Sequence, residues 1–179
     1  MVLSTHAVVG GALGRLLPGG PVVALLAGFV SHFLLDLIPH WDYQLDSVIK
    51  TSKDSPSGSD SQGESLGIEG NRVLSGRLFW RDVAKVLLDL ALGALVVWFF
   101  FSDPQAVLTS VWWGAFGAVL PDGLQFLYLK FKPRVLLRLQ HFHQFVHSNH
   151  DFRSRPVAGI SYQVFIIAVA VLVVKIILS

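Results

Sequence analysis

The stretch 156–178, PVAGISYQVFIIAVAVLVVKIIL, carries a single charged residue, Lys175, and no break in its apolar character. About 20 such residues suffice to cross a hydrocarbon core, where only a helix can satisfy its own backbone. Four further apolar runs occupy roughly 3–17, 21–38, 83–101 and 105–129. They leave little chain for anything else, and with 53% hydrophobic residues, 15% charged residues and a mean hydropathy of +0.57 the composition is that of a membrane protein. The expectation is an all-α polytopic membrane protein forming one membrane-embedded domain over 1–179, a bundle of about five transmembrane helices. The run 3–17 is short enough to be a half-helix. The prolines and glycines of LPGGP, 17–21, separate it from the next helix. Gly10 and Gly14 leave it a smooth face for close packing.

The first run lacks a basic flank and a small-residue cleavage site, so the N-terminus is expected to be retained. Residues 51–71, rich in Ser, Gly and acidic groups, read as a disordered cytoplasmic loop. Residues 133–150 place Val135, Leu136, Leu139, Phe142, Phe145 and Val146 at helical intervals against Arg134, Arg138, His141 and Gln144. That is an interfacial amphipathic helix. If the third and fourth runs form a hairpin, twelve of the fourteen Lys and Arg fall on one face, with Arg15 and Lys175 the exceptions. The positive-inside rule makes that face cytoplasmic, with the N-terminus inside and the C-terminus outside.

The same threading gathers the polar groups. Asp36, His40 and Asp42 stand at the cytoplasmic end of the second helix, with His32 one turn deeper and on the face of Asp36. Asp89 and Asp122 each lie about two turns into their helices from the same side. His141, His143, His147 and His150 belong to the amphipathic segment, and His6 begins the first helix. All seven histidines thus share one side of the membrane with four aspartates. Imidazole and carboxylate are the ligands of hard and borderline divalent ions, and the i, i+4 pairs His32/Asp36 and His143/His147 let one helix present two ligands to one ion. The chain has no cysteine, which excludes thiolate sites and disulfides. The metal-ligand set read here is His32, Asp36, His40, Asp42, His143 and His147, with His6 and His141 as further candidates. Asp89 and Asp122 are the carboxylates available as general base. GFVSHFLLDLIPHWDY and WGAFGAVLPDGLQFLY also share a Gly, an apolar helix and a proline followed by a polar residue, a weak internal repeat of the kind that builds sites from broken helices.

STHAVVGGALG, LIPHWD, VLPDGLQ and HQFVHSNH together resemble the small inner-membrane metal-dependent hydrolases of the YdjM type. That family's pattern has Thr-His before a Gly-rich helix, Leu-Pro-Asp-x-Asp at a helix end and a late Arg-Gly-x-Thr-His-Ser. This chain departs from it at His40, where the family has Asp, and keeps only His147-Ser148 of the late run. The resemblance implies a metal site first and a hydrolytic reaction second.

Plainer readings stand beside these. Asp89 can pair with Lys85 at i, i+4, Asp122 can cap the helix restarting after Pro121, and His141 and His150 fit an interface. The leading functional reading is a cytoplasm-facing membrane hydrolase holding one or two ions of Zn²⁺, Mn²⁺ or Mg²⁺ and acting on a phosphoester or lipid-like substrate. Arg134, Arg138, Arg153 and Arg155 are available for phosphate. The alternatives are a non-enzymatic membrane anchor docking a partner through its basic face (pI about 9.1) and, with less support, an ion or metal transporter. Apolar outer halves count against transport. Membrane lipid is the expected partner. No nucleic-acid reader, HExxH helix, Walker loop or GxSxG elbow is present.

Overall fold

The computed structural model describes residues 1–42, 45–49, 72–73, 76–101, 108–147, 152 and 155–179. Its helices follow the apolar runs: α1 Leu3–Leu16, α2 Gly20–Asp36, α3 Arg77–Phe101, α4 Leu108–Phe131, α5 Leu137–Val146 and α6 Pro156–Leu178. A two-residue antiparallel pair, Val48–Ile49 with Arg72–Val73, links the segment after α2 to the one before α3. The expected loop 51–71 lies outside the described residues.

Local chemistry sets the boundaries. Gly19 and Gly20, at φ 115° and 78°, turn the chain between α1 and α2 through a left-handed conformation that side chains resist. α2 stops at Asp36 because Pro39 biases the residue before it away from helix. The segment after α4 is a single 3-10 turn, Arg134–Leu136, running into α5, so the expected helix over 133–150 is shorter than its pattern. His147 caps α5 in an extended conformation, its N–H bonded to His143 O at 2.9 Å.

Two helices, α3 and α6, are long and apolar enough to cross a membrane, with mean hydropathies of 2.1 and 2.5. Only 11% and 17% of those windows are buried, so they are not core helices of a soluble fold. They expose Leu88, Phe99, Val164 and Phe165, as a lipid-facing surface does. The five-span bundle expected from the sequence is not reproduced by length and hydropathy. α1 has 14 residues, about 21 Å of rise, and α2 has 17.

The short α1 is the centre of the bundle, packed on α2, α3, α4 and α6. Its small residues allow this. A Cβ on Gly10 would run into Gly114 O and come within 2.6 Å of Ala118 Cβ, and one on Gly28 would also meet Gly114 O. Three backbones therefore touch at one crossing. Around it Ala7, Val8, Ala12, Val97, Phe101, Val111, Ala115 and Val174 form an apolar core. α1 begins beside Asp89 and Gly93, near the middle of α3, so about 18 Å of α3 continues past it toward Arg77.

Candidate metal centre

Above that apolar core, five imidazoles and three carboxylates meet. α1 brings His6, α2 brings His32 and Asp36, the loop after α2 brings His40 and Asp42, α4 brings Asp122, and α5 with its cap brings His143 and His147. Three groups of these residues place ligand atoms within 4.8 Å of one another: His6, His32 and Asp36; His32, Asp122 and His143; Asp36, His40 and His147. All six residues read from the sequence as metal ligands are here, joined by His6 and Asp122.

Asp36 is the hub. It is 1% exposed, and its two oxygens serve different neighbours. Oδ2 lies 3.2 Å from His32 Nε2 and 3.1 Å from His143 Nε2. Oδ1 lies 3.2 Å from His6 Nε2, 3.2 Å from the Met1 nitrogen and 4.0 Å from His40 Nε2. Asp42 repeats the pattern nearer the surface, with Oδ1 2.9 Å from the Met1 nitrogen and Oδ2 3.1 and 3.4 Å from Nε2 of His40 and His147. Burial opposes ionisation of Asp42, but its bonds to His147 and His40 and the nearby positive charges outweigh it. Its carboxyl is held well below the usual carboxylate range. The bond to Asp42 in turn raises the His147 imidazole above its ordinary value, against the smaller effect of burial.

Tautomers decide what these contacts mean. His32 Nδ1 lies 2.8 Å from Ala118 O and His40 Nδ1 lies 2.7 Å from Ile38 O. A carbonyl only accepts, so each Nδ1 carries the hydrogen and, in a neutral ring, each Nε2 presents a lone pair. Those lone pairs face carboxylate oxygens, which also only accept, and His32 Nε2 further faces His143 Nε2 at 3.2 Å. Acceptors converging in a buried place need protons or a cation between them. A backbone carbonyl fixing the far nitrogen is how metal-binding histidines are held. His6, fully buried and stacked on His32 at 4.2 Å, makes no well-aligned hydrogen bond at either ring nitrogen among the described residues, although Nε2 lies 3.2 Å from Asp36 Oδ1. The donor set thus fits a divalent cation, and the Met1 nitrogen between Asp36 and Asp42 marks one place where positive charge is accommodated.

Pro121 removes the helical bond to Gly117 O in the turn of α4 that offers Ala118 O to His32. The loop carrying His40 and Asp42 is pinned at both sides. Phe152 N–H donates to His40 O at 3.0 Å, and Gln163 Nε2 donates to Trp41 O at 2.8 Å. Gln163 Oε1 accepts from Val2 N–H and from the Thr5 hydroxyl, tying the loop to α1. Further out, Asp82 accepts from Ser47 N–H at 2.7 Å. Sequence reasoning missed Gln163. The available signal was an amide standing alone in an otherwise apolar helix.

Asp89 lies outside the converging groups. Its carboxylate accepts from the N–H of Leu3 at 2.7 Å and of Ser4 at 3.4 Å, so it caps α1 from another helix. Lys85, the sequence-based partner for Asp89, bonds Asp46 and Asp82. Asp89→Ala should therefore lower stability by about 1–2 kcal/mol, the usual cost of a lost cap, while bound metal stays at the wild-type level. Thermal unfolding and metal content of one preparation check both halves, and loss of metal would instead put Asp89 in the site.

His141, Arg134, Arg138 and Arg155 are exposed. Arg153 and His150 lie outside the described residues. Comparison of the chain with protein-family models, with curated proteins and with solved structures finds no match.

Proposed function

We propose that this chain is a membrane-embedded, metal-dependent hydrolase whose site faces the cytoplasm and which acts on a phosphoester of an amphipathic substrate. The observation that carries the reading is the pair of buried histidines, His32 and His40, whose Nδ1–H groups are spent on backbone carbonyls while their Nε2 atoms converge on carboxylates. The resemblance to the YdjM-type hydrolases points the same way and supplies the reaction class. A bound divalent ion would polarise the scissile group and lower the pKa of an attacking water.

The protein's own residues divide the remaining work. His32, His143 and Asp36 orient the centre. Asp122 Oδ1 sits 3.7 Å from both imidazoles, and its side chain is 26% exposed, so its other oxygen is the one to accept a proton from water. Arg134 and Arg138 stand on the segment that brings His143 and supply positive charge for phosphate. The apolar core beneath the site favours a reaction confined to one side of the membrane over passage through it. In this reading α1, α2, α3, α4 and α6 are the five membrane segments, with α1 a half-helix and the basic loops in the cytoplasm. The membrane is a bacterial or archaeal inner membrane.

The test is metal analysis of detergent-purified protein by mass spectrometry, followed by hydrolysis of phosphoester substrates before and after chelation. Bound Zn²⁺ or Mn²⁺ that is lost in His32→Ala, with hydrolysis that stops on chelation and returns on re-addition, is the expected result. Protein that binds no divalent ion overturns the reading and leaves a membrane anchor.

A further inference from the structure

The division of Asp36 between two sets of neighbours leads beyond a single ion. Around Oδ2 stand His32 Nε2, His143 Nε2 and Asp122 Oδ1. The separations are 3.2 Å for His32 to His143, 3.2 and 3.1 Å from these to Oδ2, and 3.7 Å from each to Asp122. A tetrahedral ion with ligands at about 2.0–2.2 Å has ligand-to-ligand edges of roughly 3.3–3.6 Å. Five of the six edges are thus close to the geometry of one ion, without any movement of the backbone.

Around Oδ1 stands a different set. His40 Nε2 is 4.0 Å from Oδ1 and 3.1 Å from Asp42 Oδ2, and His147 Nε2 is 3.4 Å from that same Asp42 oxygen. His6 Nε2 approaches Oδ1 from α1 at 3.2 Å, and the Met1 nitrogen lies between Asp36 and Asp42. Asp36 belongs to both sets, and His6, stacked on His32 at 4.2 Å, lies between them. Each set joins buried imidazole to a partly exposed carboxylate: His32 and His143 are buried with Asp122 26% exposed, and His40 is buried with Asp42 and His147 29% and 35% exposed.

We propose that the site is binuclear, with Asp36 bridging an inner ion held by His32, His143 and Asp122 and an outer ion held by His40, Asp42 and His147. This rests on the metal-dependent reading above and sharpens its substrate class. Two ions about 3.5–4 Å apart hold both the attacking and the leaving oxygen of an in-line displacement, the arrangement suited to phosphoesters. The inner set places Asp122, partly exposed, where its second oxygen reaches the attacking water, and the outer set, with His147 the most exposed of the ligands, receives the substrate.

The experiment loads the chelator-stripped full chain with Mn²⁺ and reads stoichiometry and the electron paramagnetic resonance spectrum. The expected result is two ions per chain with an exchange-coupled spectrum. The double variant His40→Gln, Asp42→Asn should bind one ion and give the six-line spectrum of isolated Mn²⁺, and His143→Gln should lose the inner ion. Gel filtration and circular dichroism of each variant establish that it is folded. Wild type saturating at one ion overturns the binuclear proposal and leaves the single-ion hydrolase standing. Two ions without coupling overturn the bridge through Asp36, and no binding at all overturns both readings.

Discussion

Asp36→Ala should abolish metal binding, and with it any metal-dependent activity, more completely than any other single substitution in the site. Its carboxylate meets His6, His32, His143 and the Met1 nitrogen at 3.1–3.2 Å and His40 at 4.0 Å, so its loss removes the group that four of the imidazoles approach. Removing an outer partner of a metal ligand already weakens affinity by about 10–100-fold, so loss of this shared ligand should exceed that range. Asp36→Asn separates charge from shape. The amide keeps one acceptor oxygen and roughly the same volume, yet it cannot neutralise a dication or serve two ions. Competition with a fluorescent chelator measures the effect. Either variant retaining wild-type affinity would show that the cluster is a proton-linked network of histidines.

The second large effect lies away from the chemistry. Gly114→Val should destabilise the protein by about 3 kcal/mol, at the upper end of overpacking costs. A Cβ at Gly114 collides with Gly10 O and comes within 3.1 Å of Gly10 C and Gly14 N, all of them backbone atoms that cannot rotate away. Gly28 meets the same peptide from α2, so the clash propagates to a third helix. Gly123, further along the same helix, is the control, because a Cβ there would meet nothing within 4 Å. Gly123→Ala should raise stability by roughly 0.5–1 kcal/mol through helix propensity. Unfolding midpoints in one detergent compare the pair. Equal midpoints for Gly114→Val and wild type would mean that the three helices do not meet backbone to backbone.

Much of the architecture is written in the apolar runs, because burying or exposing apolar surface is what a run of that length settles. Each of the five runs is a helix. What the runs do not reveal is rank. α1, the weakest segment by hydropathy, is the most enclosed, since its glycines and small polar residues suit contact with other helices better than contact with lipid. The polar cluster was legible for a related reason: histidine and aspartate are too costly to bury singly, so their gathering in sequence around helix ends foretold a gathering in space. His6 and Asp122 were named from the sequence only as a further candidate and a general base, because each is alone on its helix, and the fold places them beside the others. Asp89 was misleading. An isolated carboxylate in an apolar helix is equally suited to a proton, a metal or the bare N–H groups of a neighbouring helix, and only the position of α1 decides among them.

The enclosure of α1 has a consequence for biogenesis. α1 precedes the other helices in the chain, yet lipid offers little to a segment of 14 residues with Ser4, Thr5 and His6 at its start. Its seat is built from α3, α4 and α6, which are made later. A chain truncated before α6 should therefore hold α1 more loosely than the full chain does, which limited proteolysis of the two would show.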